Sequence, residues 1–284
     1  MYHTEMITRR SRDALARLKL HFLGPMEAYI GEELIRFATK KTVLLLAYLV
    51  TFRDRAHPRQ TLAGLFWGEA SERNANNSLR FALMVLRKAL PSPRDSLPYL
   101  IATGGSLRFN ERSPFELDTL TLQAAIDRVK QESRMTTQSA DALARALKTY
   151  RGLFLEGFFD DWVAHEQMHW QDRFIQGVLL LSQFYEQRRE YDRVIELCQH
   201  ALHFCPHHEA LWCSLIRAHA LHGDRNAALS QYERFVQSLR AEMDLEPLAE
   251  TQSLYEQIAT NRLQPPSHRG YRVINQPPTR LNVS

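Results

Sequence analysis

The residues with the most definite chemistry lie between Arg73 and Leu90. Arg73, Asn77, Arg80, Phe81, Met84, Arg87 and Lys88 recur at short intervals, and no Asp or Glu falls among them. At about 100° per residue this spacing puts them on one side of a helix running from Glu72 to Leu90. Leu79, Leu83, Leu86 and Leu90 form a narrow stripe on the other side, with Ala75 and Ala82 at its border. Such a helix packs its leucines on a core and presents unopposed cations and amides to a polyanion. Arginine is the usual partner of guanine and asparagine of adenine, and an apolar group can meet a thymine methyl. Arg73, Asn77, Arg80, Phe81 and Met84 are therefore the base-reading candidates, with packing against a neighbouring hairpin the alternative for Phe81 and Met84. Lys40, Lys41, Arg59, Arg87, Lys88 and Arg108 are the phosphate candidates, because helix starts and hairpin tips meet the nucleic-acid backbone.

Other chemistries find no support. The chain has no G-x-S-x-G, no H-E-x-x-H and no G-x-x-x-x-G-K-[ST] loop, so neither a catalytic residue nor a cofactor is expected, and the chain reads as no enzyme. Cys198, His200, His203, Cys205, His207 and His208 crowd together, but without a C-x-x-C pair, and Cys198 falls on a core position of a helical repeat, so no metal is expected. Asp160-Asp161 ahead of Trp162 is a helix-start signal.

The elements that must position the basic helix follow from patterning. Residues 18–24 alternate apolar and polar, and 27–37 continue with strand-turn-strand signals around Gly31, predicting a small N-terminal sheet. Thr39 caps a helix through Leu49, Pro58 opens a second over Arg59–Trp67 that Gly68 ends, and Pro91 stops the third. After a Pro/Ser loop at 91–98, strands at 99–102 and 107–110 are joined by Thr103-Gly104-Gly105-Ser106, a hairpin signal. Three helices followed by a hairpin is the order of a winged helix-turn-helix, in which the second helix of the motif enters the major groove.

From about Leu117 helical periodicity takes over, predicting helices over 118–133, 139–150, 161–187, 191–204, 209–221, 225–241 and 247–261. Arg189/Gly223, Val194/Ala228, Ile195/Leu229 and Cys198/Tyr232 correspond at an offset of 34, the tetratricopeptide period, with Leu181, Tyr185, Tyr191, Ala201 and Pro206 at positions that repeat requires. Pro247 comes seven residues later than the period predicts. The fold class expected is thus mainly α: an α+β winged helix-turn-helix followed by an all-α tetratricopeptide-like array. Boundaries fall at 1–17 (leader), 18–116 (winged helix), 117–262 (helical array) and 263–284 (Pro-rich tail or linker).

Bulk properties agree. With 284 residues, 44% of them hydrophobic and 24% charged, the chain can bury two cores, and wholesale disorder is excluded. The longest apolar run, 43–50, is far short of the ~20 residues a membrane helix needs. A polar start without a signal-peptide core and three cysteines point to the cytoplasm, where a DNA-binding chain would be nucleoid-associated. The net charge of +4 is unevenly spread: residues 1–118 carry 18 Lys and Arg against 12 Asp and Glu, and the remainder 18 against 20. The basic half is the nucleic-acid candidate.

Several strings resemble a known family. Phe22-Leu23-Gly24, Lys41 through Ala47-Tyr48-Leu49, Leu65-Phe66-Trp67, and Asn77-Ser78-Leu79-Arg80 through Leu86-Arg87-Lys88-Ala89-Leu90 resemble the OmpR-type winged helix of the Streptomyces antibiotic regulatory protein family. Tyr150-Arg151-Gly152, Leu155-Glu156-Gly157-Phe158, Trp162, Ala228-Leu229, Tyr232-Glu233, Leu239–Glu242, Glu246-Pro247 and Leu254-Tyr255 resemble the bacterial transcriptional activator domain that follows it. Val85 stands where many relatives carry a basic residue, and Arg189 takes the small-residue slot that Gly223 fills one repeat later. The resemblance implies a regulator that binds double-stranded promoter DNA, forms a homodimer on direct repeats and recruits RNA polymerase, with no membrane partner. The alternative is a protein-interaction adaptor whose winged helix does not bind DNA, which Val85 and the outward Phe81 and Met84 allow, or the N-terminal part of a larger signalling ATPase regulator.

Overall fold

The computed structural model describes residues 17–91 and 97–263. The leader up to residue 16, the middle of the Pro/Ser loop and the tail from 264 lie outside the described residues. The chain divides into two compact units, each built from discontinuous sequence: residues up to 123 with 149–170, and 124–148 with 171 onward.

The first unit opens with a sheet of β1 (Leu18–His21), β2 (Glu27–Ile30), β3 (Glu33–Leu34) and β7 (Phe115–Leu117) in the order β3-β2-β1-β7. β1 and β2 belong to the expected N-terminal sheet and pair antiparallel, Leu18 facing Ile30 and His21 facing Glu27. β7, which pairs parallel to β1 with Leu18 opposite Phe115, was not expected, because three residues ahead of a helix carry too little alternation to register. α1 (Lys40–Thr51) starts at the Thr39 cap, whose hydroxyl accepts from the Thr42 N–H, and buries Leu44, Leu45, Leu46, Leu49 and Val50. α2 (Arg59–Trp67) and α3 (Glu72–Ala89) follow within one residue of their expected bounds. β5 (Leu100–Thr103) and β6 (Ser106–Phe109) make the hairpin, to which the unexpected two-residue β4 (His57–Pro58) adds a third strand in the order β4-β6-β5.

Residues 149–170 complete this unit. Leu23 and Phe154 form an antiparallel bridge, the Arg151 N–H donates to the Leu23 carbonyl at 3.0 Å and the Leu155 N–H to the Phe22 carbonyl at 2.8 Å. Gly24, at φ +122°, lies so near this segment that a Cβ there would sit 3.0 Å from the Arg151 Cβ. Phe22 meets Phe154 edge to face at 5.8 Å, and Trp162 lies edge-on to Tyr48 at 5.3 Å. Asp118, almost wholly buried, binds the same corner: one carboxylate oxygen accepts from the Phe22 N–H at 2.7 Å and the Leu23 N–H at 2.8 Å, the other from the Thr119 N–H at 2.8 Å. Burial pushes its carboxyl up from 3.8 to about 6, against the opposite pull of those three N–H groups and of Arg151.

The second unit is helical. It takes the C-terminal part of α4 (Asp118–Gln131) and α5 (Thr137–Leu147), then the C-terminal part of α6 (Asp161–Gln187), α7 (Tyr191–Phe204), α8 (Glu209–His222), α9 (Arg225–Met243) and α10 (Ala249–Ala259). α5 begins two residues earlier than expected because Thr136 and Ser139 form a capping box. Gly177 lets α6 approach closely, since a Cβ there would meet the Leu147 side chain at 2.9 Å. The repeat is visible as helix pairs, with Leu181, Tyr185, Tyr191 and Ala201 buried and the Trp212 indole donating to the Pro206 carbonyl at 2.7 Å. α9 has 19 residues where its counterpart α7 has 14, which accounts for most of the late position of Pro247.

Two stability predictions follow. Asp118→Asn leaves either the Thr119 N–H or both the Phe22 and Leu23 N–H groups facing an amide NH2, depending on which way the amide is turned, and should cost about 2–4 kcal/mol in urea unfolding. The wild-type carboxyl has a native pKa above its unfolded value, so folding takes up a proton between the two. Stability from this group therefore rises as pH falls from 7 to 4, by up to roughly 3 kcal/mol, and the gap between wild type and variant should widen over that window. A gap independent of pH would refute the buried titration. In the second unit, Arg189 sits at φ +60° in the turn where the next repeat has Gly223 at φ +99°. Arg189→Gly should raise stability by roughly 0.5–1 kcal/mol in the same assay, through relief of left-handed strain.

Candidate nucleic-acid interface

α3 is held by one face and free on the other. Ala75, Leu79, Ala82, Leu83 and Leu86 are buried in the core of the first unit, together with Leu62, Ala63 and Phe66 of α2. The turn between the two helices begins at Gly68, where a Cβ would meet the Gly64 carbonyl oxygen at 2.7 Å. On the outer face Arg73, Asn77, Arg80, Phe81, Met84, Arg87 and Lys88 are all exposed. None of the cations among them has an ion pair with another described residue, and the acid nearest in sequence, Glu72, accepts from Gln60 instead. Phe81 is 55% and Met84 58% exposed, so neither packs away against the hairpin. All five base-reading candidates thus share one open surface.

The hairpin is fixed to the helix pair through β4. His57 pairs with Leu107 and Pro58 with Ser106, and the Arg59 N–H donates to the Gly105 carbonyl at 3.0 Å. Arg59, half-buried, therefore begins α2 directly against the hairpin turn. Gly104 at φ +59° and Gly105 at φ +81° supply the two left-handed residues that a tight hairpin turn demands. Arg108 projects from β6, exposed, with Ile101 opposite.

The remaining phosphate candidates differ among themselves. Lys40 is exposed at the start of α1. Lys41 is engaged within the protein: its ammonium donates to the Phe66 carbonyl at 2.5 Å and lies 5.9 Å from the centre of the Trp67 ring, capping the end of α2. Arg87 and Lys88 occupy the last turn of α3, where cations also favour the helix dipole.

The family scan matches the bacterial transcriptional activator domain over residues 117–259. The chain belongs to this family. Its members are transcriptional regulators, and the likeness to the Streptomyces antibiotic regulatory proteins extends through both halves of the chain. A search of curated proteins found no match. Among solved structures, Mycobacterium tuberculosis EmbR, in complex with a low-affinity phosphopeptide, superposes with a TM-score of 0.63 at 23% identity. The match covers 88% of the present chain and 66% of that one, so the present chain spans just under two thirds of EmbR. The likeness supports the same mainly helical architecture, with a small N-terminal β region.

Of the cysteine and histidine crowd, Cys198 and Cys205 are packed in the interior, while His207 pairs with Glu242. Cys198 is fully buried beside Ser182, with its thiol pushed up to about 11 by desolvation, and Cys205 accepts from the Gln171 amide at 3.3 Å. Among the described residues no group of three metal-ligating side chains converges, and no helix is long and apolar enough to cross a membrane. Sequence patterning missed Asp118 and the β4 tether. Asp118 opens α4 and carries the ordinary look of a helix-start acid, while a two-residue strand has no periodicity to detect.

Proposed function

We propose that this family member is a sequence-specific DNA-binding regulator, in which residues 18–116 supply the promoter-contacting surface and residues 117–262 the contacts to RNA polymerase. Arg73, Asn77 and Arg80 address base edges. Arg87, Lys88, Arg59, Arg108 and Lys40 address phosphates, and Lys41 contributes charge while holding α2. A homodimer on direct repeats and activation, rather than repression, belong to the same reading, as does a place in the cytoplasm with the nucleoid. The observation that carries it is the outer face of α3: cations and an amide with no acid among residues 73–90, exposed and without an ion pair to another described residue, opposite a wholly apolar face. A surface of this kind gains most from a ligand that is itself a dense array of anions.

The test is equilibrium binding of the full chain to a duplex from its own upstream region and to a scrambled duplex, from low to near-physiological salt. Affinity should fall steeply with salt on both, with the native duplex preferred. Arg80→Ala should cost about 1–3 kcal/mol on the native duplex and less on the scrambled one. Lys88→Ala should weaken both alike and reduce the salt slope by about 1. Absence of binding even at low salt would overturn the reading.

A further inference from the structure

We infer that the centre of α3 reads pyrimidine C5-methyl groups, so that the bound site carries thymines at neighbouring positions beneath Phe81 and Met84. The inference rests on the DNA-binding reading above and names what that surface selects.

Phe81 and Met84 are the exposed apolar residues of an otherwise cationic and polar face, each more than half open to solvent. At a spacing of three they are neighbours on the helix surface, and they sit at mid-helix between Asn77 and Arg80 on one side and Arg87 and Lys88 on the other. That position matters. When a recognition helix lies in the major groove, the outward side chains of its N-terminal and central turns approach the groove floor, while cations of its last turn, here Arg87 and Lys88, face the phosphate walls.

The groove floor offers acceptors at purine N7, guanine O6 and thymine O4, donors at the amino groups of adenine and cytosine, and one apolar group, the C5-methyl of thymine. A phenyl ring and a thioether set against the polar edges alone would strip water from them and return no hydrogen bond, which disfavours binding. Set against methyls, the same two side chains bury apolar surface on both partners. Three residues advance an α-helix by roughly 4.5 Å, against about 3.4 Å per base step, so the two methyls lie one or two steps apart. Phosphate contacts hold the helix in register, and the Arg80 and Asn77 donors read the flanking edges.

The experiment removes the methyls and leaves pairing and phosphates in place. The full chain is titrated with its upstream duplex, with the same duplex bearing deoxyuridine for every thymine, and with a scrambled duplex. Wild type should lose about fourfold in affinity per methyl contacted, hence roughly ten- to twentyfold on the uridine duplex. Phe81→Ala/Met84→Ala should bind thymine and uridine duplexes equally, while still preferring either to the scrambled one. Both side chains are exposed, so the thermal unfolding curve of the double variant should match that of wild type.

If wild type prefers its own duplex to the scrambled one but does not distinguish thymine from uridine, methyl reading is wrong and the DNA-binding reading stands. If the double variant keeps the full thymine preference, the methyls act through duplex shape and the inference fails. If wild type shows no preference for its own duplex, both fall together.

Discussion

One buried carboxylate organises the corner on which the first unit turns. The backbone leaves β1 at Phe22 and Leu23 with two N–H groups directed into the protein, and Asp118 takes both on a single oxygen. An unpaired buried N–H costs on the order of 1–3 kcal/mol, so this corner could not be left open. The carboxylate is itself costly to bury, as its raised pKa records, and the three donors it accepts from are what make it tolerable there. Because Asp118 directly follows β7, the same bond holds β7 alongside β1 and closes the sheet on which α1 packs.

From that corner the geometry passes outward to the open face of α3. α1 shares one core with the sheet and the helix pair, its Leu45, Leu46, Ala47 and Leu49 wholly buried. The apolar side of α3 packs into the same core, and a helix held by Ala75, Leu79, Leu83 and Leu86 cannot rotate without exposing leucine. The orientation of Arg73, Asn77 and Arg80 is therefore set by the side opposite to them. β4 does the corresponding work for the hairpin, tying its turn to the first residue of α2 so that Arg59 is held against the small sheet that carries Arg108.

Most of the helices were readable from the sequence because each has a long apolar period and a recognisable end. Thr39, Pro58, Gly68 and Pro91 punctuate the three helices of the first unit, and α2 and α3 fall within a residue of the bounds they predict. The outward face of α3 was readable for the same reason: a leucine stripe defines its own opposite. Short strands were not. β4 and β7 exist through hydrogen bonds to partners about 50 and 97 residues away, as in His57 with Leu107 and Leu18 with Phe115, and a local pattern holds no trace of such pairing. Whether Phe81 and Met84 pack or stand free was likewise undecidable from spacing, since both outcomes use the same residues, and burial settles it.

The strings that carried the family likeness gain a physical reason in this corner. Phe22-Leu23-Gly24 and Tyr150-Arg151-Gly152 lie more than 120 residues apart, yet they are two sides of one contact. Gly24 and Gly152 cross with a Cβ on Gly152 only 3.4 Å from the Gly24 Cα, and Leu23 bridges Phe154. Glycine stands at both positions because two backbones meet there. It follows that the compact unit carrying α3 draws on residues inside the activator-domain match at 117–259. A fragment ending near residue 116 would lose the Asp118 carboxylate, the Phe154 and Trp162 rings against Phe22 and Tyr48, and the acceptors and donors that pair Phe22, Leu23 and Gly24. Its poor behaviour on DNA would then report an unfinished core rather than a missing contact, and for that reason the binding surface of α3 has to be measured on the full chain.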